Sequence, residues 1–485
     1  MVENATPRLS SSADLSGDES SPRALALAGF GLAVLIAATV FAAIDRQILV
    51  LLADPIRKSL GLSDTQLGLL HGVGLALFGG VAAVPLGWLA DRFGRRLVLA
   101  ACVLLWSLAT AACGLVSGYN GLMLAAIGIG IGEAALAPVV YSLIPEIVPA
   151  QRRALANGIY AVAAILGAGV GISLSGALIE YSQSVRPLLS SASQDMEPWR
   201  LAFLTVAVPG PVVAVLVLLI RLRPGARAVS ETAKAQPSAL IPYLRGNART
   251  VASVFVGIGM ANLGIAALGA WAPVIAVRSF GATPQTVGQG IGIGYIAGTV
   301  AGALVGGAGI RWLRPRLGQA TPLRVIAIGL VLSAAVSAML VVAKSALHVY
   351  LLFGLQVAFL ISATVVIPTI LQDMSPLSLR TRVIALATMV GVLLSASSPI
   401  LVGLVSDLLH RPADGLALAV AGVAASSLLL GAGLIRSAER SFVRSIADVA
   451  AAEPPISDIR HPSSPTAGAV EPSLPMTVND RLENS

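Results

Sequence analysis

The sequence predicts an all-α integral membrane protein with twelve transmembrane helices in two six-helix halves. Three observations carry this prediction: the composition, twelve long apolar runs and one long polar stretch near the middle of the chain. Hydrophobic residues make up 56% of the 485 residues and charged residues only 12%. Soluble domains carry about 25% charged residues, so this chain is too apolar for water and a bilayer is its expected solvent.

Twelve apolar runs are long enough to cross a bilayer, which takes about 20 residues. Strands of a membrane barrel alternate apolar and polar residues, and these runs do not, so we expect each run to form a helix. The predicted helices 1 to 12 are 25–50, 64–90, 97–116, 121–147, 155–182, 200–221, 251–277, 285–310, 324–343, 348–372, 383–408 and 415–436. Prolines inside them are expected to cause kinks, at Pro85, Pro138, Pro209, Pro273, Pro368 and Pro399.

A polar stretch at 222–250 divides the chain into an N-terminal half, 25–221, and a C-terminal half, 251–436. Residues 1–24 and 437–485 are expected to be disordered tails because they are polar and rich in residues that disfavour a packed core. The first tail lacks the basic start and short apolar core of a cleaved signal peptide. The first apolar run is therefore expected to remain as an anchor.

The arginine and lysine residues indicate the orientation, since cytoplasmic loops carry an excess of them. With both termini inside, 24 of the 32 basic residues fall on the cytoplasmic side and seven in outer loops, and Arg46 lies within predicted helix 1. The sequence therefore predicts a multi-pass protein of the cell inner (plasma) membrane, with both termini and the linker in the cytoplasm.

Charge and motifs exclude several classes of function. The net charge is +8, but the basic residues lie in short clusters between apolar runs, without stacking aromatics, so no nucleic-acid partner is expected. None of the three lysines follows a glycine, so the chain has no Walker A loop. The four histidines are scattered and form no H-E-x-x-H motif, so we expect no metal, no cofactor and no enzymatic activity.

The two halves carry a faint internal repeat. The pattern acid-x-x-Pro-x-x-x-Arg starts at Glu146 after predicted helix 4, and again 227 residues later at Asp373, where it ends at Arg380. Two parallel six-helix halves are typical of transporters, which bind substrate between the halves near the middle of the membrane.

The segment between predicted helices 2 and 3 carries the strongest motif. It reads Gly87-Trp88-Leu89-Ala90-Asp91-Arg92-Phe93-Gly94-Arg95-Arg96. This segment resembles the loop signature G-x-L-a-D-R-x-G-R-R of the major facilitator superfamily, and the resemblance implies that fold.

A physical reason for this motif is a latch between conformations. Asp91 at a helix end can pair with arginines and a helix N-terminus in one conformation and lose them in the other, and Gly87 and Gly94 would permit close helix approach and a tight turn. The alternative is that Arg92, Arg95 and Arg96 only enforce orientation, which leaves Asp91 and the glycines unexplained. The corresponding stretch of the second half, 306–316, lacks the acid.

Within this superfamily the chain resembles the bacterial spinster-like (Spns) family. The stretches that carry the resemblance are Asp45-Arg46-Gln47-Ile48, Leu62 to Gly68, Gly130-Ile131-Gly132-Glu133-Ala134, Trp199 to Phe203, Gln372-Asp373-Met374 and Leu401 to Asp407. The resemblance implies a proton-coupled carrier that moves a small amphiphilic, lysolipid-like substrate by alternating access. We expect protons, this substrate and membrane lipid as its partners, and a monomeric protein. The alternatives are a multidrug or organic-anion carrier of the same fold, then a channel, then a membrane-embedded enzyme.

The charged residues inside the predicted helices agree with a coupling role. Glu133 lies about twelve residues into predicted helix 4, where a lone carboxylate costs roughly 2.5–3.5 kcal/mol. It is either a proton carrier or a buried acid bonded to backbone. Asp45 and Arg46 are adjacent and project about 100° apart. Both can border one cavity, although anchoring of the helix end is the alternative.

Several other polar residues are candidates for the wall of a cavity, although each alone is more often an interhelical hydrogen bond. They are His71, Tyr141, Asn262, Gln289, Tyr295 and Gln356. Asp407 and Glu180 lie near outer helix ends and are expected to be solvated.

Ala126 marks a departure from the family. The spinster-like pattern has an arginine at this position, two turns before the glutamate and within about 20° of its face. Either Arg46 serves as the only positive partner, or position 126 has been substituted, or the divergence has no consequence. We expect Ala126→Arg to raise proton-coupled transport by restoring an ion pair.

Overall fold

The structure is a computed structural model that describes residues 22–188, 195–222, 240–376, 379–411 and 414–452. Twelve helices in these residues are long and apolar enough to cross a membrane, which confirms the predicted all-α fold. They are α1 Leu25–Leu51, α2 Asp64–Phe93, α3 Arg95–Leu115, α4 Tyr119–Ile147, α5 Leu155–Leu188, α6 Pro198–Leu219, α7 Ala248–Phe280, α8 Pro284–Leu313, α9 Gly318–Val342, α10 Ala346–Asp373, α11 Arg382–Leu409 and α12 Gly415–Ser437.

The ends of the helices follow local sequence signals. At the start of α2 the Ser63 side chain accepts from the Gln66 backbone N–H, while the Gln66 side chain accepts from the Ser63 N–H, which forms a capping box. Gly94 separates α2 from α3 at a φ of 101°, and Gly281 follows α7 at a φ of 64°. These left-handed conformations favour glycine, so the tight turn expected at Gly94 is confirmed.

Proline interrupts two of the helices at related places in the two halves. The helical segments of α4 are Tyr119–Ala134 and Leu136–Ile147, and those of α10 are Ala346–Thr364 and Ile367–Asp373. Pro138 and Pro368 each lie four residues after the last residue of the first segment, where the proline ring would clash with a helical carbonyl. The first segment of α4 therefore ends at Ala134, the residue after Glu133.

Part of the chain that was predicted to be tail is helical. Residues Glu439–Ala452 form a helix after α12, here called the C-terminal helix, and Phe442 on it is fully buried. Glu439 accepts hydrogen bonds from Arg324 of α9 at 3.1 and 3.3 Å, which ties this helix to the bundle. The prediction of disorder is wrong for these residues because the helix has an apolar side that packs on the bundle. Within the predicted linker, Leu240–Gly246 is also helical; the rest of both tails and of the linker lies outside the described residues.

The two halves meet through α2 with α11 and α5 with α8. A Cβ placed on Gly68 would lie 2.3 Å from the Pro399 carbonyl oxygen, and one on Gly72 would lie 2.1 Å from the Ala396 oxygen. Small residues therefore let these backbones touch. The end of the bundle where these contacts concentrate carries Arg278 and is here called the Arg278 face; the opposite end is the Asp91 face.

Toward the Asp91 face the same helices move apart. The stripe of α2 that contains Gly68 and Gly72 continues to Val84, which is 79% exposed, and the facing stripe of α11 continues to Met389, which is 54% exposed. On α5 and α8 the close contacts end near Gly169 and Gly292, and Val162 beyond them is exposed. The molecule is therefore closed at the Arg278 face and open at the Asp91 face.

Candidate functional site

An ion pair joins α1 to α4 inside the N-terminal half. Arg46 donates from Nε and Nη2 to the same Glu133 oxygen, Oε2, at 3.0 and 2.6 Å. The Glu133 side chain is 5% exposed, whereas that of Arg46 is 59% exposed. Glu133 is thus held within the packed helices, and the guanidinium that binds it is accessible.

Glycines position Glu133 by drawing α4 against its neighbours. A Cβ on Gly130 would lie 2.5 Å from the Leu75 carbonyl oxygen of α2, and one on Gly132 would lie 2.7 Å from Cβ of Trp106 on α3. This close packing, together with the helix break that follows, fixes the backbone that carries Glu133. Its second oxygen, Oε1, is buried and has no hydrogen-bond partner among the described residues.

The Asp45 side chain points into the packed helices and not toward Arg46, the exposed partner of Glu133. It is fully buried, and neither carboxyl oxygen has a hydrogen-bond partner in the described part of the chain. The Trp106 indole N–H and the Thr110 hydroxyl of α3 face its carboxyl group. Asp45 and Arg46 therefore have different surroundings, as expected for neighbours about 100° apart on one helix.

The residues of the predicted latch form contacts inside the N-terminal half. Arg95 donates to Asp91 at 3.1 Å and to Glu146 of α4 at 2.6 Å, and Asp91 is 67% exposed. Arg96 donates to the Ile220 carbonyl at 2.8 Å. Arg95 thus links the motif to the acid of the internal repeat.

The other motif residues have more local surroundings. The Arg92 guanidinium lies 5.4 Å from the Trp88 ring centre and 5.5 Å from that of Phe93. A side chain at Gly87 would meet no atom within 4 Å, so the close helix approach expected there is absent in this conformation. Asp373 ends α10, and Arg380 donates to the Gln372 carbonyl at 3.1 Å.

The candidates for a cavity wall divide into accessible and packed residues. Tyr141 is exposed and lies edge-on to Tyr160 at 5.2 Å, Gln289 is exposed, and Asn262 and Tyr295 are half-buried. Gln356 and His71 are buried, and His71 Nδ1 lies 2.9 Å from the Leu67 carbonyl oxygen. The expectation that these last two line a cavity is wrong for this conformation, because helix packing covers both.

Ala126 is fully buried, and its Cβ would lie 3.0 Å from a Cβ placed on Gly74 of α2. An arginine there has no space between α4 and α2 in this packing. The expectation that Ala126→Arg restores an ion pair therefore conflicts with the structure.

The expectation that Asp407 is solvated is wrong. Its carboxylate accepts hydrogen bonds from Asp64 and Thr65 of α2, at 2.6 to 3.1 Å, instead of being solvated. The partner residues precede it by 342 and 343 positions, so helix-end position alone could not reveal them. Glu180 is exposed as expected.

Known proteins share this fold and part of this sequence. The family model described as Major Facilitator Superfamily matches residues 35–399. The "Sphingosine-1-phosphate transporter SPNS2" of Xenopus tropicalis is 27% identical over 374 residues, covering 73% of this chain and 69% of that protein. An "MFS-type efflux pump" of Mycolicibacterium smegmatis is 30% identical over 177 residues, which are 36% of this chain and 38% of the pump. A "Probable L-galactonate transporter" of Escherichia coli is 32% identical, over 36% of this chain and 34% of that transporter.

Solved structures of transporters share the fold of this chain. A bacterial homologue of the human lysosomal transporter Spinster, in an inward-facing and unoccupied conformation, has a TM-score of 0.70 at 20% identity, covering 89% of this chain and 98% of that one. The nucleoside transporter NupG has a TM-score of 0.64 at 12% identity, covering 84% and 99%. At these identities the likeness shows the fold. The family model matches residues 35–399, which is most of the chain, and so the chain belongs to the Major Facilitator Superfamily.

Proposed function

We propose that this chain is a proton-coupled secondary active transporter that moves a small amphiphilic, lysolipid-like molecule by alternating access. The observation that carries the proposal is the Arg46–Glu133 pair, a buried carboxyl group held by an accessible guanidinium. Such a pair has two states, since a proton on Glu133 cancels its charge and removes most of the attraction.

The proton and the substrate act on the same ion pair in this scheme, and binding of either one favours binding of the other. When Glu133 binds a proton, Arg46 is released and offers a planar fork that suits a phosphate or carboxylate head group. When an anionic head group occupies Arg46, Glu133 loses its positive partner and favours proton binding. Asp45, buried and without a positive partner, supplies a second place for a proton near the pair.

The apolar part of the substrate fits the exposed stripes of the separated helices. Val84, Met389 and Val162 present aliphatic surface where α2, α11 and α5 have lost their partners. A molecule with one anionic head and a long apolar tail uses both this surface and Arg46. The similarity to the sphingosine-1-phosphate transporter SPNS2 of Xenopus tropicalis supports this class of substrate.

A multidrug or organic-anion carrier is the second candidate. The efflux pump and the galactonate transporter among the relatives favour it, and Arg46 suits a carboxylate as well as a phosphate. A channel or a membrane-embedded enzyme has less support, because the bundle closes at one face and opens at the other, as a carrier does.

The proposed orientation places the Asp91 face, the termini and the linker in the cytoplasm of a cell inner membrane, in a monomeric protein that needs no cofactor. In a cysteine-free background, an impermeant thiol reagent outside sealed cells should label Leu347→Cys on the Arg278 face. It should not label Ser238→Cys in the linker, which lies outside the described residues. The reverse pattern contradicts the orientation.

The transport proposal is tested in proteoliposomes with an imposed pH gradient. Uptake of a lysophospholipid, a sphingoid phosphate, a sugar acid and a cationic drug is compared with and without the gradient, and a trapped dye reports proton movement. Saturable lysolipid uptake that rises with the gradient and moves protons supports the proposal. Uptake that ignores the gradient contradicts the coupling, and preference for the sugar acid or the drug favours the second candidate.

A further inference from the structure

Two short helices outside the twelve spans meet at the start of α7, on the Asp91 face of the C-terminal half, and none of the roles assigned above uses them. One is the C-terminal helix, Glu439–Ala452. The other is Leu240–Gly246, here called the linker helix, which leads directly into α7. Both helices carry exposed arginines, so this end of the molecule presents positive charge.

Polar contacts hold the C-terminal helix across the ends of α9 and α7. At its start, Glu439 accepts hydrogen bonds from Arg324 of α9 at 3.1 and 3.3 Å. Further along, the Ser445 hydroxyl donates to the Asn247 side chain at 2.7 Å and lies 3.3 Å from the Thr250 hydroxyl of α7. Because α7 and α9 both begin at this face, a helix that joins their ends lies along the membrane surface.

The start of α7 lies at the level of the lipid head groups. Arg249 and Arg278 are about 30 residues apart on this helix, which separates them by about 45 Å at about 1.5 Å per residue. A bilayer with its head groups is about 40–45 Å thick, and Arg278 lies at the opposite face. Arg249 and the side chains around it are therefore within reach of lipid phosphates.

Four exposed arginines lie beside the contact between the C-terminal helix and α7. They are Arg245, Arg249, Arg440 and Arg444, here called the arginine patch. Arg249 directly precedes Thr250, and Arg444 directly precedes Ser445. Because the Thr250 and Ser445 hydroxyls lie 3.3 Å apart, the two helices bring their arginines together. The four side chains form no ion pair or hydrogen bond with another described residue.

The arginine patch needs a negative partner from outside the chain. It cannot lose its charge by titration, because an arginine stays protonated in proteins. The neighbouring acid is already paired, since the Glu439 side chain is 9% exposed and binds Arg324 and Arg436. Four like charges held near one another repel each other and attract anions. An anion bound among them therefore stabilises the C-terminal helix in its docked position.

Apolar side chains at the same face favour a lipid over a soluble anion. Ile241, one turn before Arg245 on the linker helix, is 60% exposed. Trp312 at the end of α8 is 63% exposed, and the Arg316 guanidinium lies 4.4 Å from its ring centre. Residues Gly318–Ala320, which follow, pack against the C-terminal helix. Tryptophan is enriched where a membrane meets water, so acyl chains are available beside the patch.

We propose that the arginine patch binds the phosphate of an anionic phospholipid, and that this lipid stabilises the docked C-terminal helix. The planar guanidinium groups donate paired hydrogen bonds that suit phosphate oxygens, and Ile241 packs on the acyl chains. The lipid binds at the edge of the C-terminal half, apart from Arg46 in the N-terminal half. The proposal is therefore independent of what the protein transports.

Native mass spectrometry of the full chain in mild detergent counts the lipids bound at increasing concentrations of phosphatidylglycerol or phosphatidylcholine. The parent should bind phosphatidylglycerol more tightly. Arg440→Gln with Arg444→Gln should weaken phosphatidylglycerol binding by about 25-fold, because each basic residue near an anionic surface contributes about fivefold. Phosphatidylcholine binding should not change. Equal phosphatidylglycerol binding by this double variant and the parent overturns the proposed site.

Two controls separate a lipid site from simple charge. Arg152→Gln with Arg221→Gln removes two exposed arginines from the Asp91 face of the N-terminal half and should bind phosphatidylglycerol as the parent does. An equal loss in both double variants means that only the total charge matters, which overturns the site. Glycerol phosphate carries the phosphate without acyl chains and should not displace the lipid. Displacement at the same concentration as the lipid assigns the patch to a soluble anion and contradicts the proposal.

Hydrogen exchange tests the stabilisation of the docked helix without counting lipids. In nanodiscs that contain phosphatidylglycerol, the amides of Glu439–Ala452 should exchange more slowly than in nanodiscs of phosphatidylcholine alone. The variant with Arg440→Gln and Arg444→Gln should lose this difference. Exchange in the parent that is the same in both lipids contradicts the stabilisation of this helix by an anionic lipid.

Discussion

Arg46 donates two hydrogen bonds to one oxygen of Glu133 and leaves the other oxygen, which is buried, without a partner. The pair is therefore asymmetric: one oxygen accepts from the guanidinium, and the other is placed to receive the proton that weakens the pair. Because Arg46 is the exposed member and Glu133 the buried one, a substrate reaches the pair through the arginine. This relationship suits coupling, in which proton and substrate occupy different sides of one ion pair.

Ala126→Arg is expected to destabilise the protein rather than to raise coupled transport. The new side chain would have to fit between α4 and Gly74 of α2, where the Ala126 Cβ already has close neighbours. Overpacking of this kind costs about 1–3 kcal/mol. Thermal unfolding followed by intrinsic fluorescence should give a lower Tm, whereas Ala126→Ser should stay near the parent. Parent-like stability with faster coupled uptake would restore the sequence-based expectation.

Asp91→Asn is expected to increase the fraction of molecules that are open at the Asp91 face. In the open state Asp91 is paired with Arg95 of its own half and is largely exposed, so this state loses little when the charge is removed. Closure of the Asp91 face would bring the C-terminal half next to Asp91. The charge of Asp91 would then stabilise the closed state more than the open one. Spin labels on Leu155→Cys of α5 and Trp312→Cys of α8, which span the Asp91 face, should show a larger population of long distances. Arg444→Gln, which removes a charge at an exposed site of the same face, is the control. An identical response in both variants would mean that Asp91 serves only to set the orientation.

The Arg278 face should stay closed on mild acidification. Arg278 of the C-terminal half donates there to Asp54 and Asp64 of the N-terminal half, at 2.8 to 3.1 Å. Burial raises the pKa of Asp54, but the hydrogen bonds and charges of Lys58 and Arg278 outweigh it and hold this pKa below its ordinary value. A carboxyl group whose pKa is lower in the folded protein stabilises the fold at pH values above its pKa in the unfolded chain, about 3.9. This stabilisation is lost only as the pH falls through the pKa of the folded state.

In the double variant Glu133→Gln, Asp45→Asn, which lacks both proposed proton sites, the distance between spin labels on Ser184→Cys and Leu347→Cys at the Arg278 face should therefore be the same at about pH 7.5 and about pH 5. Lys58→Gln should move the loss of closure toward higher pH, because Asp54 then has one positive neighbour fewer. Opening of the Arg278 face between these two pH values in this double variant would show that the contacts of Arg278 themselves respond to protons.

The sequence was sufficient for the architecture and for the identity of the central charges. Twelve long apolar runs can only be helices in a bilayer, and charged residues inside them are rare enough to stand out, so Asp45, Arg46 and Glu133 were identifiable. Their pairing was not, because it depends on how α1 is rotated against α4, and one residue along a helix changes direction by about 100°.

The contacts between the halves could not be predicted from the sequence either. Asp64 and Asp407 stand out in the sequence only as parts of stretches that resemble the spinster-like family, because nothing local shows that the end of α11 reaches the start of α2. His71 and Gln356 were wrong as cavity candidates for a related reason: polarity marks a residue as unusual in a membrane helix, whereas packing decides whether it faces a cavity or a neighbouring helix.

The measurement that tests the coupling most directly compares Glu133→Gln with the parent in proteoliposomes, for uptake driven by a pH gradient and for exchange of labelled against unlabelled substrate. The amide keeps the shape of Glu133 and a hydrogen-bond acceptor for Arg46 but binds no proton. Gradient-driven uptake should fall to the level seen without a gradient, while exchange should persist in part, and Asp45→Asn should be nearly as damaging. If both variants still concentrate substrate on the gradient as the parent does, proton coupling through this pair is contradicted.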